Sequence, residues 1–202
     1  MEQEDPTYAV LYKFTKALSV ALGYRDLLTR LHSERVHGLC EALGRAFGLS
    51  GNELGILKMA SSFHDIGKIG IPDHILLKPT AFDAPEWAVM QQHAEIGERI
   101  MAETQLDGAQ QVAQVIRHHH EHYDGQGYPD GLAGAHIPVC ARIISIADSD
   151  DAMAQTRAYH RSKTHAQIMP ILHQETGAKH DPELIRIFCD IIETSEFKAE
   201  PR

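Results

Sequence analysis

The stretch His118–Gly131, HHHEHYDGQGYPDG, limits what this chain can fold into more than any other part of it. It sets three imidazoles in a row beside a carboxylate, then passes without a break into a turn-forming run on Gly125, Gly127, Pro129 and Gly131. Successive residues on a helix are separated by about 100°, so three adjacent histidines cannot share one face. Two of them reach a common cluster only where the helix ends. Glycine and proline immediately afterwards supply that exit, because glycine tolerates positive φ and proline fixes its own. The chemistry is therefore expected where a helix becomes a loop.

The chain has 202 residues, 43% of them apolar, enough to bury a sizeable core in one domain. Its net charge of -9 argues against a general nucleic-acid surface, which needs a basic face. An anionic ligand must then be held locally, by metal or by a few placed cations. No window approaches about 18 consecutive apolar residues, and the N-terminus opens MEQEDP instead of a basic segment followed by a hydrophobic one. The expectation is a cytoplasmic protein with no membrane span. Cys40, Cys140 and Cys189 are odd in number and widely spaced, which favours free thiols over a disulfide or zinc site. The 14 histidines stand out, and although most histidines are solvated or satisfied in a core, position singles out a subset.

Taken in order, the pattern predicts helices joined by short loops. Apolar residues recur at helical spacing from Tyr8 to Leu22, with Gly23 as a break or kink, and again from Leu27 to Phe47, ending at Gly48. His32 lies on this second helix and is unremarkable alone. Ser50 with Glu53 has the form of a capping box that starts a third helix, running through Leu54, Leu57 and Phe63 into His64-Asp65, with Gly67 ending or bending it. An imidazole and a carboxylate at the end of an apolar helix are costly to bury unless something such as a metal satisfies them. Asp83, Pro85 and Glu86 start a helix that carries Trp87, Met90, His93, Ile96, Gly97 and Ile100, with His93 on the inward face. A further helix, through Val112, Val115 and Ile116, leads into the opening stretch. Pro138 begins a strongly apolar helix interrupted by Asp148, which must cap, pair or ligate. Ser162 is expected to open a helix containing Pro170 and stopped by Gly177, and Asp181-Pro182 caps the last one. No alternating strand pattern of useful length appears, so the expected class is all-α.

His64-Asp65-Ile66-Gly67-Lys68, Ile71-Pro72, Ile75-Leu76, Lys78-Pro79, His93, His119-His120-Glu121, Asp124-Gly125, Gly127-Tyr128-Pro129, Ile137-Pro138, Ala141-Arg142, Asp148 and Asp151-Ala152 together closely resemble the HD-GYP family, a branch of the HD-type metal-dependent phosphohydrolases. The likeness runs from about His32 to Asp181. A lone HD pair would be weak evidence, but the ordered set is specific. The resemblance implies one domain over 1–202, with residues 1–23 an N-terminal helix, 24–181 the family core and 182–202 a C-terminal helix and tail. With only some 30 residues between Met1 and His32, no receiver or sensor domain is expected ahead of His32.

It further implies a phosphodiesterase that hydrolyses cyclic di-GMP to pGpG, GMP or both, using iron or manganese. Its metal ligands would be His32, His64, Asp65, His93, His119, His120 and Asp148, with Asp65 bridging two ions and His118 excluded. The donor chemistry agrees. Five imidazoles and two carboxylates suit borderline divalent metals, and the lack of cysteine argues against a structural zinc knot. Two such ions about 3.5–4 Å apart would share a bridging hydroxide that attacks phosphorus in line. Lys68 would hold a phosphate oxygen beside the catalytic Asp65, Tyr128 would bond a phosphate or pack on the nucleotide, and Arg157 would meet the phosphate on the far side.

Two positions depart from the family pattern. Leu28 stands where some members carry a glutamate supporting a third metal, so a binuclear site is expected; His160 stands where a second basic residue is common, so the phosphate grip is expected to be weaker or dependent on pH. Two other readings stay open at this point. One is a weakly active or inactive binding module, responsive to cyclic dinucleotides, that docks on GGDEF-domain partners through the GYP loop, and the other is an HD phosphohydrolase acting on another cyclic dinucleotide or nucleotide.

Overall fold

The computed structural model describes residues 6–155, 162–195 and 197–199, apart from the side chains of 6, 7, 14 and 27–30. Ten α-helices are described: α1 (Pro6–Arg25), α2 (Leu27–Phe47), α3 (Gly51–Phe63), α4 (Asp73–Leu76), α5 (Ala84–Gln91), α6 (His93–Ala102), α7 (Ala109–His118), α8 (Val139–Ala154), α9 (His165–Gln174) and α10 (Pro182–Ile192). Two 3-10 turns, Ile66–Gly70 and Gly134–His136, join them. The described residues contain no strand, only the isolated bridges Asp124 to Ala133 and Thr176 to His180, so the all-α expectation holds.

The helix starts follow the local chemistry. The Ser50 hydroxyl accepts from the Glu53 amide at 3.3 Å, and the Glu53 carboxylate accepts from the Ser50 amide at 2.8 Å. The same reciprocal pair recurs at Asp83 and Glu86, and the Asp181 carboxylate accepts from the Glu183 amide at 2.8 Å ahead of α10. These bonds use amides that the first helical turn leaves without partners. Three boundaries differ from the periodicity. The long helix expected from Asp83 to Ile100 breaks at Gln92 into α5 and α6, where the His93 ring takes the Met90 carbonyl at 2.8 Å. The start expected at Ser162 falls at Thr164, whose amide donates to Gln167 Oε1 at 3.0 Å, and α9 continues through Pro170. The third helix ends at Phe63, before Gly67.

One core lies between α2, α3, α7, α8 and α10, where Leu43, Leu57, Ile116, Ile143, Ile146 and Phe188 are fully buried. A smaller cluster of Ile71, Ile75 and Met90 fixes α4 and α5. All three cysteines are free thiols, with Cys40 and Cys140 buried and Cys189 half-buried. No described helix is long and apolar enough to cross a membrane.

Gly67 lies inside the turn that follows the histidine–aspartate pair, and its role is close approach. A Cβ there would fall 1.9 Å from the His93 carbonyl oxygen and 2.5 Å from the Gly97 amide. Arg25, at the end of α1, grips the same turn from outside through the carbonyls of Lys68, Ile69 and Ile71 and the Asp73 carboxylate. Because the obstructing atoms are backbone, Gly67→Ala is expected to lower stability by on the order of 3 kcal/mol, read from the urea midpoint. Gly51→Ala, which enters open space at the start of α3, should leave the midpoint unchanged or slightly raised.

Candidate metal centre

Three helices end on the same device. His64 follows α3, His93 follows α5 and His119 follows α7, and each ring places Nδ1 against the carbonyl three residues earlier. The distances are 2.8 Å to Ser61, 2.8 Å to Met90 and 2.6 Å to Ile116. Those carbonyls belong to last helical turns, where backbone acceptors lack intrahelical partners. A carbonyl only accepts, so each Nδ1 carries the proton and each Nε2 presents a lone pair. The three Nε2 atoms point into the interior, where His64, His93 and His119 are almost wholly buried.

They form two groups. His93, His119 and His120 offer nitrogens within 4.8 Å of one another, as do His32, His64 and Asp148 with one donor each. In the first group, His93 Nε2 lies 3.4 Å from His119 Nε2 and 3.2 Å from His120 Nε2. With the His93 and His119 Nδ1 protons committed to backbone, the facing lone pairs call for a cation between them. In the second group, His32 Nε2 lies 2.9 Å from Asp148 Oδ1, while the buried His64 Nε2 has no hydrogen-bond partner at all. Asp65 stands between the groups, with Oδ2 3.7 Å from His64 Nε2 and Oδ1 3.6 Å from His93 Nε2. The seven expected ligands therefore converge from α2, α3, α6, α7 and α8 and the connections between them. An orphaned nitrogen, opposed lone pairs and an intervening carboxylate fit bound divalent metal.

Burial lowers the basicity of His64, His93 and His120 and carries His119 down to about 3, so these rings are neutral donors near pH 7. For Asp65 burial works in the opposite sense to ionisation. Lys68, followed by the nearby imidazoles, more than offsets it and holds the carboxyl well below the ordinary range. Asp148 is held low in the same way, mainly by its hydrogen bond with His32. His32 is raised to about 9 in spite of burial, because Asp148 and Asp151 both bond to it.

Lys68 Nζ donates to Asp65 Oδ2 at 2.7 Å, placing the expected cation at the site. Tyr128 is there too, its ring stacked on His120 with centroids 4.8 Å apart and planes 30° apart. Gly127 permits this course of the loop, since a Cβ would fall 2.2 Å from the His122 amide, while Gly125 takes the positive φ of +85° that the turn demands. Arg157 and His160 lie outside the described residues, as does the side chain of Leu28. His118 lies apart from both trios, with Nε2 2.8 Å from Asp130 and Nδ1 2.8 Å from the Gln114 carbonyl.

Several contributors have no role in the sequence reading, although Asp151 and Glu121 fall within the family pattern. Asp151 lies 2.6 Å from His32 Nδ1 and is itself held by Arg35 Nε at 2.6 Å, so it orients a ligand; its place three residues after Asp148 on one helix face was the available clue. Asp130 receives a bidentate pair from Arg117 at 2.7 and 2.8 Å, and Glu121 accepts from the amides of Asp130 and Leu132. His118, Glu121 and Asp130 also lie close enough to suggest a metal, but these bonds make them the fastening of the Gly127-Tyr128-Pro129 loop. A separate cavity of about 860 Å³ between α1, α2 and α3 is lined by none of the seven donors.

A family profile described as HD domain matches residues 19–184. The 3'3'-cGAMP-specific phosphodiesterase 2 of Vibrio cholerae is 39% identical over 173 residues, covering 86% of this chain and 33% of that protein. A cyclic di-GMP phosphodiesterase of Thermotoga maritima is 36% identical over 190 residues, covering 94% of this chain and 50% of that protein. The chain thus spans between a third and a half of the length of these curated relatives. Among solved structures, Bd1817 of Bdellovibrio bacteriovorus, described as an HDG"Y"P protein, shares the fold at a TM-score of 0.67 and 20% identity, covering 94% of this chain and 62% of that one. With its histidine–aspartate pair at 64–65 and its glycine–tyrosine–proline turn at 127–129, the chain belongs to the HD-domain family and carries the HD-GYP signature.

Proposed function

We propose that this chain is a metal-dependent phosphodiesterase that opens cyclic di-GMP to the linear pGpG. The observation that supports this most directly is the pair of donor trios with Asp65 between them. His93, His119 and His120 would hold one divalent ion, His32, His64 and Asp148 the other, and Asp65 would span both. The mixture of imidazole and carboxylate suits iron or manganese. Such a pair supplies a water activated at neutral pH and neutralises charge on the phosphate.

The remaining residues have distinct tasks in this reading. Lys68 sets its side-chain nitrogen 2.7 Å from Asp65, beside the place where phosphate oxygens would gather. Burial, reinforced by Asp148 and Asp65, raises the Tyr128 phenol, so it stays protonated and donates to a phosphate oxygen. Asp151 and the three helix-end carbonyls fix ring orientation before any ion arrives. Arg157 would complete the grip from the far side of the phosphate.

A second substrate has a specific observation in its favour. The Vibrio cholerae relative at 39% identity is named for cyclic GMP-AMP, so the chain's preference is best read from the two dinucleotides side by side. Metal-loaded protein should convert cyclic di-GMP to pGpG at least as fast as it converts 3'3'-cyclic GMP-AMP. The reverse order would transfer the assignment to the mixed dinucleotide, and no conversion of either by fully loaded protein would remove it.

Metal analysis of the reconstituted protein should give two equivalents per chain. Three protein-ligated ions would contradict the binuclear reading. Chelation should lower the melting temperature, because ions that bind only the native state stabilise it. Asp65→Asn should abolish turnover and cost at least one ion. Asp151→Asn, which removes a charge without touching the proposed ions, should weaken metal affinity or activity by about 10–100-fold at unchanged helix content.

A further inference from the structure

We propose that Trp87 is a base-stacking residue of the dinucleotide site, an assignment that rests on the phosphodiesterase reading and adds a substrate-binding element to it. Trp87 is the chain's single tryptophan and stands on α5 with 45% of its surface exposed. A tryptophan that makes no large contribution to the core is an unusual use of so much apolar surface. Its position accounts for it. The indole centroid lies 6.2 Å from the Tyr128 ring, edge to face at 84°, and Tyr128 in turn stacks on His120. A line of aromatic rings thus runs outward from the donor cluster to the surface and ends on Trp87.

The indole is also held in place. Phe82 backs it in near-parallel orientation, 6.2 Å away at 23°, and Phe82 itself packs against the small core of Ile71, Ile75 and Met90. The turn between the two rings is locked by the Asp83–Glu86 capping box, and Lys78 donates to Glu86 at 2.5 Å. Nothing of this kind is needed to bind a phosphate. It suits a planar aromatic group attached to one, and in a cyclic dinucleotide each base hangs a single ribose away from the phosphodiester. Stacking on an aromatic face adds affinity with little regard to which base is present. Trp87 should therefore serve binding of the ring-shaped substrate and leave the bond-breaking step alone.

The lone tryptophan provides a readout independent of turnover. Its emission should be quenched, saturably, when manganese-loaded protein is titrated with a non-hydrolysable phosphorothioate analogue of cyclic di-GMP, and should stay constant with inorganic phosphate. Trp87→Ala should raise KM by about 10-fold or more with kcat changed by less than about 2-fold, and Trp87→Phe should recover most of the loss. Steady turnover with unquenched emission and an unchanged KM for Trp87→Ala would overturn the stacking role while leaving the phosphodiesterase intact. Saturable quenching without any turnover would keep the stacking role and defeat hydrolysis. Neither quenching nor turnover would defeat both.

Discussion

The structure depends on a bond that each of three histidines makes to its own helix. At the ends of α3, α5 and α7 the backbone has carbonyls without partners, and His64, His93 and His119 each donate Nδ1–H to the carbonyl three residues back. One contact does three things. It terminates or breaks the helix, it fixes the tautomer, and it aims Nε2 away from the helix and into the interior. The donor atoms are therefore placed by secondary structure, and rotamer freedom is already spent when the tertiary fold brings the helix ends together.

Gathering five imidazoles and two carboxylates in one interior carries a penalty that the surrounding residues reduce. Lys68 offsets the Asp65 charge, and His32 shares its ring between Asp148 and Asp151, the latter anchored by Arg35. The His64 nitrogen keeps no partner, and the facing Nε2 atoms of His93 and His119, whose protons are both on Nδ1, cannot satisfy each other. Groups of that kind persist in a buried site when their role lies in binding something positive. The loop that completes the site is fastened separately, by Arg117 and His118 on Asp130 and by Glu121 on two backbone amides.

Much of this was legible in the chain because it is local. The capping pairs Ser50–Glu53 and Asp83–Glu86 and the Asp181-Pro182 start are short-range chemistry, and the structure places them where the spacing does. The break at Gln92 was not legible, since apolar periodicity runs smoothly across it and the cause is a side chain taking a backbone acceptor. Gly67 looked like a helix terminator, yet its lack of a side chain answers the backbone of His93 and Gly97 on α6, which lies far along the chain and is invisible to any local pattern. His32 is the clearest case within the site. On α2 it is one histidine of many, and it gains its meaning from Asp148 and Asp151 on α8.

The sequence by itself determined the helical class, the caps of α3, α5 and α10, the turn at Gly125 to Gly131 and, through resemblance, which histidines and aspartates to watch. These rest on residue types and short spacings, which act within a turn or two of the chain. Only the tertiary structure decided that the watched residues form two trios around Asp65, that Asp151 and Asp130 support them from behind, and that Trp87 stands at the end of a line of rings leading from the site. Such facts arise from packing α2, α3, α6, α7 and α8 around one core, and no spacing along a chain encodes a distance between two helices.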